Sequence, residues 1–268
     1  MGIVAAACLL ACPLCRSGLS VAGGSLRCVA GHGFDLARQG YANLLGGPEP
    51  ANADSPAMLA ARARVHAAGI FAPVAAQVAG QVRGRTAVLE VGAGTAYYLA
   101  RALGDDPAAV GVALDVSKAA AKVAARTDGR IAAVVADVWQ HLPVRDRCLG
   151  AVVCAFAPRN LPEFARVLRP EGVLVVVTPR PGHLVDLRDH HGLLRVPSGK
   201  AGQLVTAASE FFELIDTRLV RHQIEVSAAL AADLIAMGPN AFHRLPEDVD
   251  AGSVTIDITV QTFRPLSS

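Results

Sequence analysis

Between Thr86 and Thr178, uninterrupted apolar runs of five to seven residues alternate with segments of helical period. "TAVLEV", "AVGVALD", "IAAVVAD", "GAVVCAF" and "GVLVVVT" carry side chains suited to burial on both faces, where a half-exposed strand would alternate polar and apolar. The intervening "GAGTAYYLARAL", "SKAAAKVAARTD" and "NLPEFARVL" read as helices. This alternation predicts an α/β domain over 85–268, a doubly wound, Rossmann-like parallel sheet. A chain of 268 residues holds one such domain and a small appendage.

Gly92-Ala93-Gly94 follows the first strand and Asp115 ends the second. Glycines there let backbone approach a ligand, and an acid at the end of strand two is placed to take both hydroxyls of a ribose. Nicotinamide dinucleotides and S-adenosylmethionine share that pattern, and two features favour the second. Tyr97 occupies the third-glycine position of G-x-G-x-x-G, which blocks close pyrophosphate approach. Asp137, in "VVADVWQHLP", follows strand three, where an adenine amine can be held. Glu90 precedes the glycines and is placed to orient a methionine amino group. The competing reading makes Asp115 and Asp137 helix N-caps or solvated turn residues.

Ahead of the sheet stands Cys12-x2-Cys15-x12-Cys28-x3-His32. A C-x2-C pair on a tight turn offers two thiolates to one ion, and the second pair supplies the other corners of a tetrahedron. Three sulfurs and one imidazole suit Zn²⁺ in a closed, structural site. Gly23-Gly24 reads as the hairpin of a zinc ribbon, and Gly31 and Gly33 as the strained positions of its second knuckle. Arg16, Arg27 and Arg38 surround the expected ion. A ribbon module over 1–47 and a helical linker over 48–84, with Ser55 as N-cap and Pro56 at the first helical position, complete the domain plan.

Hydrophobic residues make up 52% of the chain and charged ones 18%, which excludes a disordered protein. A net charge of +2 is too small to announce nucleic acid or an anionic membrane. Its distribution is uneven: residues 1–104 carry eight Arg and no Lys against Asp35, Glu49, Asp54 and Glu90, a hint of a phosphate-facing surface. Cysteines at 8, 12, 15, 28, 148 and 154 in a chain this long do not suggest a secreted disulfide framework. "LLAC" resembles a lipoprotein cleavage box, yet no Lys or Arg precedes the apolar run. No segment has the length of a spanning helix. The expectation is a cytoplasmic protein without membrane partners, with Cys8 a small buried hydrophobe.

"CPLC", "LRCVAGHGFDLARQGYANLL", "DSPAMLAARARVHAAG", "VLEVGAGTAYYLARAL", "LDVSKAA", "ADVWQHLPVRD", "FAPRN", "RVLRPEGVLVVVTPRPGHLVDL" and "MGPNAFH" occur in order over nearly the whole chain. Together they resemble the 23S ribosomal RNA (guanine-N1)-methyltransferases, whose members include macrolide-resistance enzymes of actinomycetes. The resemblance implies a zinc-bearing, RNA-binding N-terminal module and a class I S-adenosylmethionine-dependent methyltransferase domain. It implies methylation of guanine N1 in a 23S rRNA hairpin at the wall of the peptide exit tunnel. Cys12, Cys15, Cys28 and His32 carry over as zinc ligands, and Gly92, Gly94, Thr95 and Asp115 as the cofactor segment. His183 lies in a segment that contributes to the family's cofactor pocket. Phe71 stands where a relative has a cofactor-contacting Tyr, losing the hydroxyl but keeping the ring. Arg38 replaces a Lys of some relatives. A homodimer, with two ribbons forming one RNA cleft, is compatible with the family.

The end of strand four faces the methyl group in such folds and here reads Phe156-Ala157-Pro158-Arg159-Asn160. Arg159 is placed to stabilise charge on guanine O6 and Asn160 to hydrogen-bond the guanine edge, with helix capping the competing role for Asn160. His183 reads as a pocket wall before a proton acceptor. Two other functions compete: a small-molecule methyltransferase acting on a quinone or polyketide, and a zinc-ribbon RNA-binding protein without turnover.

Overall fold

The computed structural model, which describes residues 2–243 and 245–266, gathers the apolar runs into one eight-stranded sheet. The chain begins with a short helix, α1 (Gly2–Ala6), and a three-stranded ribbon of β1 (Leu19–Ala22), β2 (Ser25–Cys28) and β3 (Gly33–Asp35). Gly23 and Gly24 join β1 to β2 at φ +56° and +81°, the two left-handed positions a two-residue hairpin needs. Next come β4 (Ala42–Asn43), α2 (Pro56–Ala67) and α3 (Ala72–Gln81). Ser55 Oγ accepts the Met58 N–H at 3.3 Å, capping α2 in front of Pro56.

Strands and helices then alternate: β5 (Ala87–Val91), α4 (Tyr97–Leu103), β6 (Val110–Asp115), α5 (Lys118–Ala124), β7 (Ile131–Val135), β8 (Leu149–Ala155), α6 (Leu161–Val167) and β9 (Leu168–Pro179). The remainder adds α7 (Val185–His191), α8 (Lys200–Ala208), β10 (Phe212–Val226), α9 (Ala228–Ala236) and β11 (Gly252–Pro265). The strand order is β10-β11-β9-β8-β5-β6-β7-β4. Strands β4 to β9 pair in parallel, whereas β11 pairs antiparallel with both β9 and β10. The sheet is therefore mixed, where the apolar runs alone predict a parallel one. Its direction of winding reverses between β5 and β8, and the crevice outside the carboxyl ends of these strands is where such sheets bind ligands.

Each central strand feeds two cores. Val88 of β5 packs with Val65, Val74, Leu99 and Leu234, while Leu89 and Val91 pack with Ile3, Leu10, Leu26 and Phe164. Burial on both faces explains the unbroken apolar runs. It also places the appendages on opposite sides. Cys12, Leu19 and Leu26 of the ribbon share the second core with the sheet, and α2 and α3 contribute to the first. The helical segment 48–84 thus covers one face and does not bridge sheet and ribbon.

The stretch 1–47 divides likewise. Gly2–Ala6 packs on β7, and Ala42–Asn43 pairs with Val134–Val135 as the sheet's edge strand. The ribbon lies between them, stitched to the sheet domain by Ala11 N–H to the Pro143 carbonyl (3.0 Å) and Arg145 N–H to the Leu9 carbonyl (2.9 Å). The apolar N-terminal run serves as core, Ile3 and Leu10 being buried. Cys8 is exposed, contrary to the expectation of a buried hydrophobe. No helix among the described residues is long and apolar enough to cross a membrane.

Candidate active site and metal centre

Two turns assemble the N-terminal cluster. Arg16, at φ +63°, donates its N–H to the Cys12 carbonyl at 2.8 Å, closing the first knuckle. Cys28 N–H bonds the His32 carbonyl at 3.1 Å across Gly31, at φ +86°. Gly33 is not strained; it lies in β3. The ligand atoms of Cys12, Cys15, Cys28 and His32 all fall within 4.8 Å of one another. His32 Nδ1 stands 3.5 Å from Cys12 Sγ and 3.4 Å from Cys28 Sγ, and the sulfurs of Cys15 and Cys28 are 3.7 Å apart. Zn–S bonds of about 2.3 Å and Zn–N bonds of about 2.0 Å at tetrahedral angles give edges of about 3.7 Å and about 3.5 Å. The four residues fit Zn²⁺. Hydrogen bonds from the Ser17 side chain and backbone bring the Cys15 thiol down to about 7, favouring the thiolate a metal requires.

At the switch point, β5 ends in Gly92 (φ +61°) and Gly94 (φ +52°). A Cβ on Gly92 would lie 2.5 Å from the Ala157 side chain, and one on Gly94 would lie 2.5 Å from Arg62 Nη1. Gly92 therefore has no room for a side chain beside Ala157, and the left-handed backbone of Gly94 favours glycine. Asp115 is buried at the end of β6, where Oδ2 accepts the Gly94 N–H and Oδ1 the Ser117 N–H, each at 2.8 Å. Asp115 therefore fixes the turn's shape, and its remaining lone pairs suit ribose hydroxyls. The cap of α5 is Ser117, whose Oγ accepts the Ala120 N–H at 3.2 Å.

Glu90 is buried, its Oε2 accepts the Leu99 N–H at 3.0 Å, which clasps β5 to α4, and burial pushes its pKa up to about 8. Charged groups also flank the turn. Arg62 of α2 rests on Gly94, paired with Asp54 Oδ2 at 2.5 Å and the Met237 carbonyl at 2.7 Å. A zwitterionic methionine end needs one cation and one anion, and Arg62 and Asp54 bring both to the turn. Asp137 is half-buried and caps its own turn, Oδ1 accepting the Trp139 N–H at 2.9 Å.

An aromatic cluster adjoins the turn. Thr95 is turned inward, its hydroxyl 3.3 Å from His66 Nδ1, and the His66 ring stacks on Tyr97 at 4.0 Å. Burial, reinforced by the Arg62 charge, brings the His66 pKa down to about 4. Phe71 is fully buried and meets His66, Phe156 and His183 edge-on at 6.0–6.1 Å. His183 has its pKa brought to about 4 by burial and the Arg188 charge, and its buried Nδ1 has no hydrogen-bond partner among the described residues.

Beyond β8, Asn160 directs Nδ2 to the carbonyls of Val138 (2.8 Å) and Gln140 (3.4 Å). It does not cap α6 with its side chain. Arg159, half-exposed, makes no hydrogen bond or ion pair among the described residues. The same holds for the exposed guanidiniums of Arg16, Arg27 and Arg38. Arg16 also lines a cleft of about 320 Å³ with His141, Arg145, Asp146 and Arg166 at the seam of ribbon and sheet. Asp54, Arg62 and His66 have no local sequence signal of function; α2 must lie over the turn before they gain one.

Residues 10–49 match the zinc-ribbon family described as RlmA, N-terminal, and residues 88–172 match the family described as methyltransferase domain. The chain is 39% identical over 271 residues to a 23S rRNA (guanine(748)-N(1))-methyltransferase of Streptomyces fradiae, covering 96% of this chain and 97% of the relative. It is 40% identical over 287 residues to a putative 23S rRNA (guanine-N(1)-)-methyltransferase of Micromonospora griseorubida, with the same coverage of 96% and 97%. Among solved structures, the complex of the Haloferax volcanii Trm112 methyltransferase activator with a putative methyltransferase aligns at a TM-score of 0.51 and 19% identity. That alignment covers 80% of this chain and 99% of the other, a likeness of fold.

Proposed function

The chain belongs to the 23S rRNA (guanine-N1)-methyltransferases, and from that premise we propose how its own residues carry out the reaction. It transfers a methyl group from S-adenosylmethionine to N1 of a guanine in 23S rRNA. The observation that carries the reading is the fusion, through one hydrophobic core, of the Cys12–Cys15–Cys28–His32 tetrahedron with the sheet bearing Gly92, Gly94 and Asp115.

S-adenosylmethionine supplies the methyl group on a sulfonium. Guanine N1 is protonated in the neutral base and lies on the Watson–Crick edge, so the target enters unpaired or flipped. When N1 gives up its proton to solvent, its lone pair forms the bond to the methyl carbon, the C–S bond breaks, and sulfur departs as a neutral thioether. The protein's task is placement and charge. Arg159, free of partners among the described residues, stabilises the negative charge that develops on O6. Asn160 has its amide nitrogen tied to two carbonyls, which leaves Oδ1 to accept from the donors of the guanine edge. His183, neutral far below pH 7, is a wall of the pocket and too weak a base to take the proton.

Asp115 receives the ribose, and Arg62 with Asp54 receives the methionine end. Cys12, Cys15, Cys28 and His32 hold zinc; because three thiolates overcompensate its charge, RNA is drawn by Arg16, Arg27 and Arg38. We place the target in a hairpin of the exit-tunnel wall, where an N1-methyl removes a donor and protects against macrolides.

Labelled methyl transfer to naked 23S rRNA, compared with transfer to small phenols, tests the substrate class. Primer extension on the product is expected to stall at N1-methylguanine. Labelled RNA without a stall would defeat the N1 assignment, and labelling of phenols alone would defeat the RNA reading.

A further inference from the structure

Phe156 follows the last residue of β8 with φ at +56°, a left-handed conformation that bulky side chains rarely adopt. The residue is 43% exposed, although two of the rings it touches, Phe71 and Tyr98, are buried. It meets Phe71 edge-on at 6.0 Å, leans on Tyr98 at 6.3 Å, and lies nearly parallel to the His183 ring, 18° apart at 6.3 Å. Its neighbour Ala157 presses on Gly92, the first residue of the cofactor turn, and β8 pairs with β5, which leads into that turn. The exposed ring therefore stands beside the glycine turn at the carboxyl end of β8. Folding alone would favour glycine at this backbone position and would turn a phenyl ring inward.

The geometry points to Phe156 as the stacking platform for the target guanine, a substrate-positioning residue. This rests on the guanine-methyltransferase reading and adds to it the surface that holds the base once it has left its helix. Phe71, Tyr98 and His183 fix the plane of the ring from behind. Stacking on an aromatic face is indifferent to base identity. Discrimination of guanine then falls to Arg159 and Asn160, which follow in the same loop and address the edge of the base.

The test uses the zinc-loaded full chain, with wild-type transfer to 23S rRNA established first, so that failure of the functional reading is seen separately. Three variants, Phe156→Gly, Phe156→Leu and Phe156→Tyr, are compared for melting temperature, S-adenosylmethionine affinity by calorimetry, and kcat and KM on the RNA. Phe156→Gly relieves the left-handed strain and gives up the ring's contacts with Phe71, Tyr98 and His183, two effects of opposite sign on the melting temperature, while kcat/KM falls roughly 10- to 100-fold, the size of one base–aromatic stack. Phe156→Leu, apolar but unable to stack, falls similarly, Phe156→Tyr restores activity, and cofactor affinity stays unchanged in all three. Wild-type kcat/KM in the Gly and Leu variants overturns the platform, as does a Tyr variant no better than Gly. A loss of cofactor affinity parallel to the loss of transfer also overturns it, since the ring would then serve the methyl donor.

Discussion

Asp115 Oδ2 accepts the N–H of Gly94 at 2.8 Å, so the carboxylate at the end of one strand sets the shape of the turn at the end of the next. Its other oxygen holds the Ser117 N–H, also at 2.8 Å. The substitution Asp115→Asn keeps the outline but points an NH2 at one of two donor N–H groups. The expected cost is about 1–3 kcal/mol of stability for the donor left unpaired. S-adenosylmethionine binding, measured by calorimetry, should weaken more than tenfold, as expected for roughly 1.4 kcal/mol per decade. An Asp115→Asn variant that melts and binds like wild type would show that the clamp shapes nothing.

Glu90 makes stability depend on pH in a defined direction. Its pKa rises from 4.5 in the unfolded chain to about 8 in the buried site. A group raised on folding contributes stability that is complete below pH 4.5 and is lost as pH climbs through 8. His66 and His183, brought down to about 4, act oppositely and lose theirs as pH falls from 6.5. The difference between wild type and Glu90→Gln isolates the first effect, because glutamine still accepts the Leu99 N–H and never ionises. The variant's melting temperature relative to wild type is expected to climb steadily between pH 4.5 and 8; a flat difference would mean that Glu90 is ionised in the fold.

The parallel half of the sheet is legible because residues such as Val88 and Leu89 are needed on opposite faces, leaving no room for polar ones. The C-terminal hairpin hides for the converse reason. β10 is an edge strand with Glu213, Arg218 and Arg221 exposed, and β11, although interior, buries Thr255, Asp257, Thr259 and Gln261. Asp257 is tolerated there through its 2.9 Å pair with Arg180, a partner remote in sequence. The same distinction runs through the site. The zinc tetrahedron is written in local spacing, whereas Arg62 reaches Gly94 only because a helix about 30 residues earlier packs over the turn, and no short motif records that. Asn160 sits where a cap is expected, but its amide is claimed by Val138 and Gln140.

Metal loss should not be confined to the ribbon. Cys12, Leu19 and Leu26 share a core with Leu89, Val152 and Phe164 of the sheet domain. Cys15→Ser, or chelation of the wild type, is expected to remove the single zinc and to lower the melting temperature of the whole cooperative transition. Methyl transfer to rRNA should fall further than S-adenosylmethionine binding. Zinc analysis paired with calorimetry checks this; full stability in a metal-free protein would refute the ribbon as a zinc site.

Arg16, Arg27 and Arg38 are exposed and without partners among the described residues, so neutralising them disturbs no internal bond. If each meets one phosphate, each Arg→Gln change releases one fewer counterion, and the slope of log affinity against log salt drops by about 0.7–0.9 per site. The triple variant should then lose roughly 2.1–2.7 units of slope while keeping its zinc and its S-adenosylmethionine affinity. Arg→Lys at the same positions keeps the charge and the slope but gives up bidentate phosphate contact, so it should bind more weakly at every salt concentration. Filter binding of 23S rRNA fragments from low to moderate salt measures both. A triple Gln variant with the wild-type slope would move the RNA surface off the ribbon, to the cleft that Arg145 and Arg166 line at its seam with the sheet.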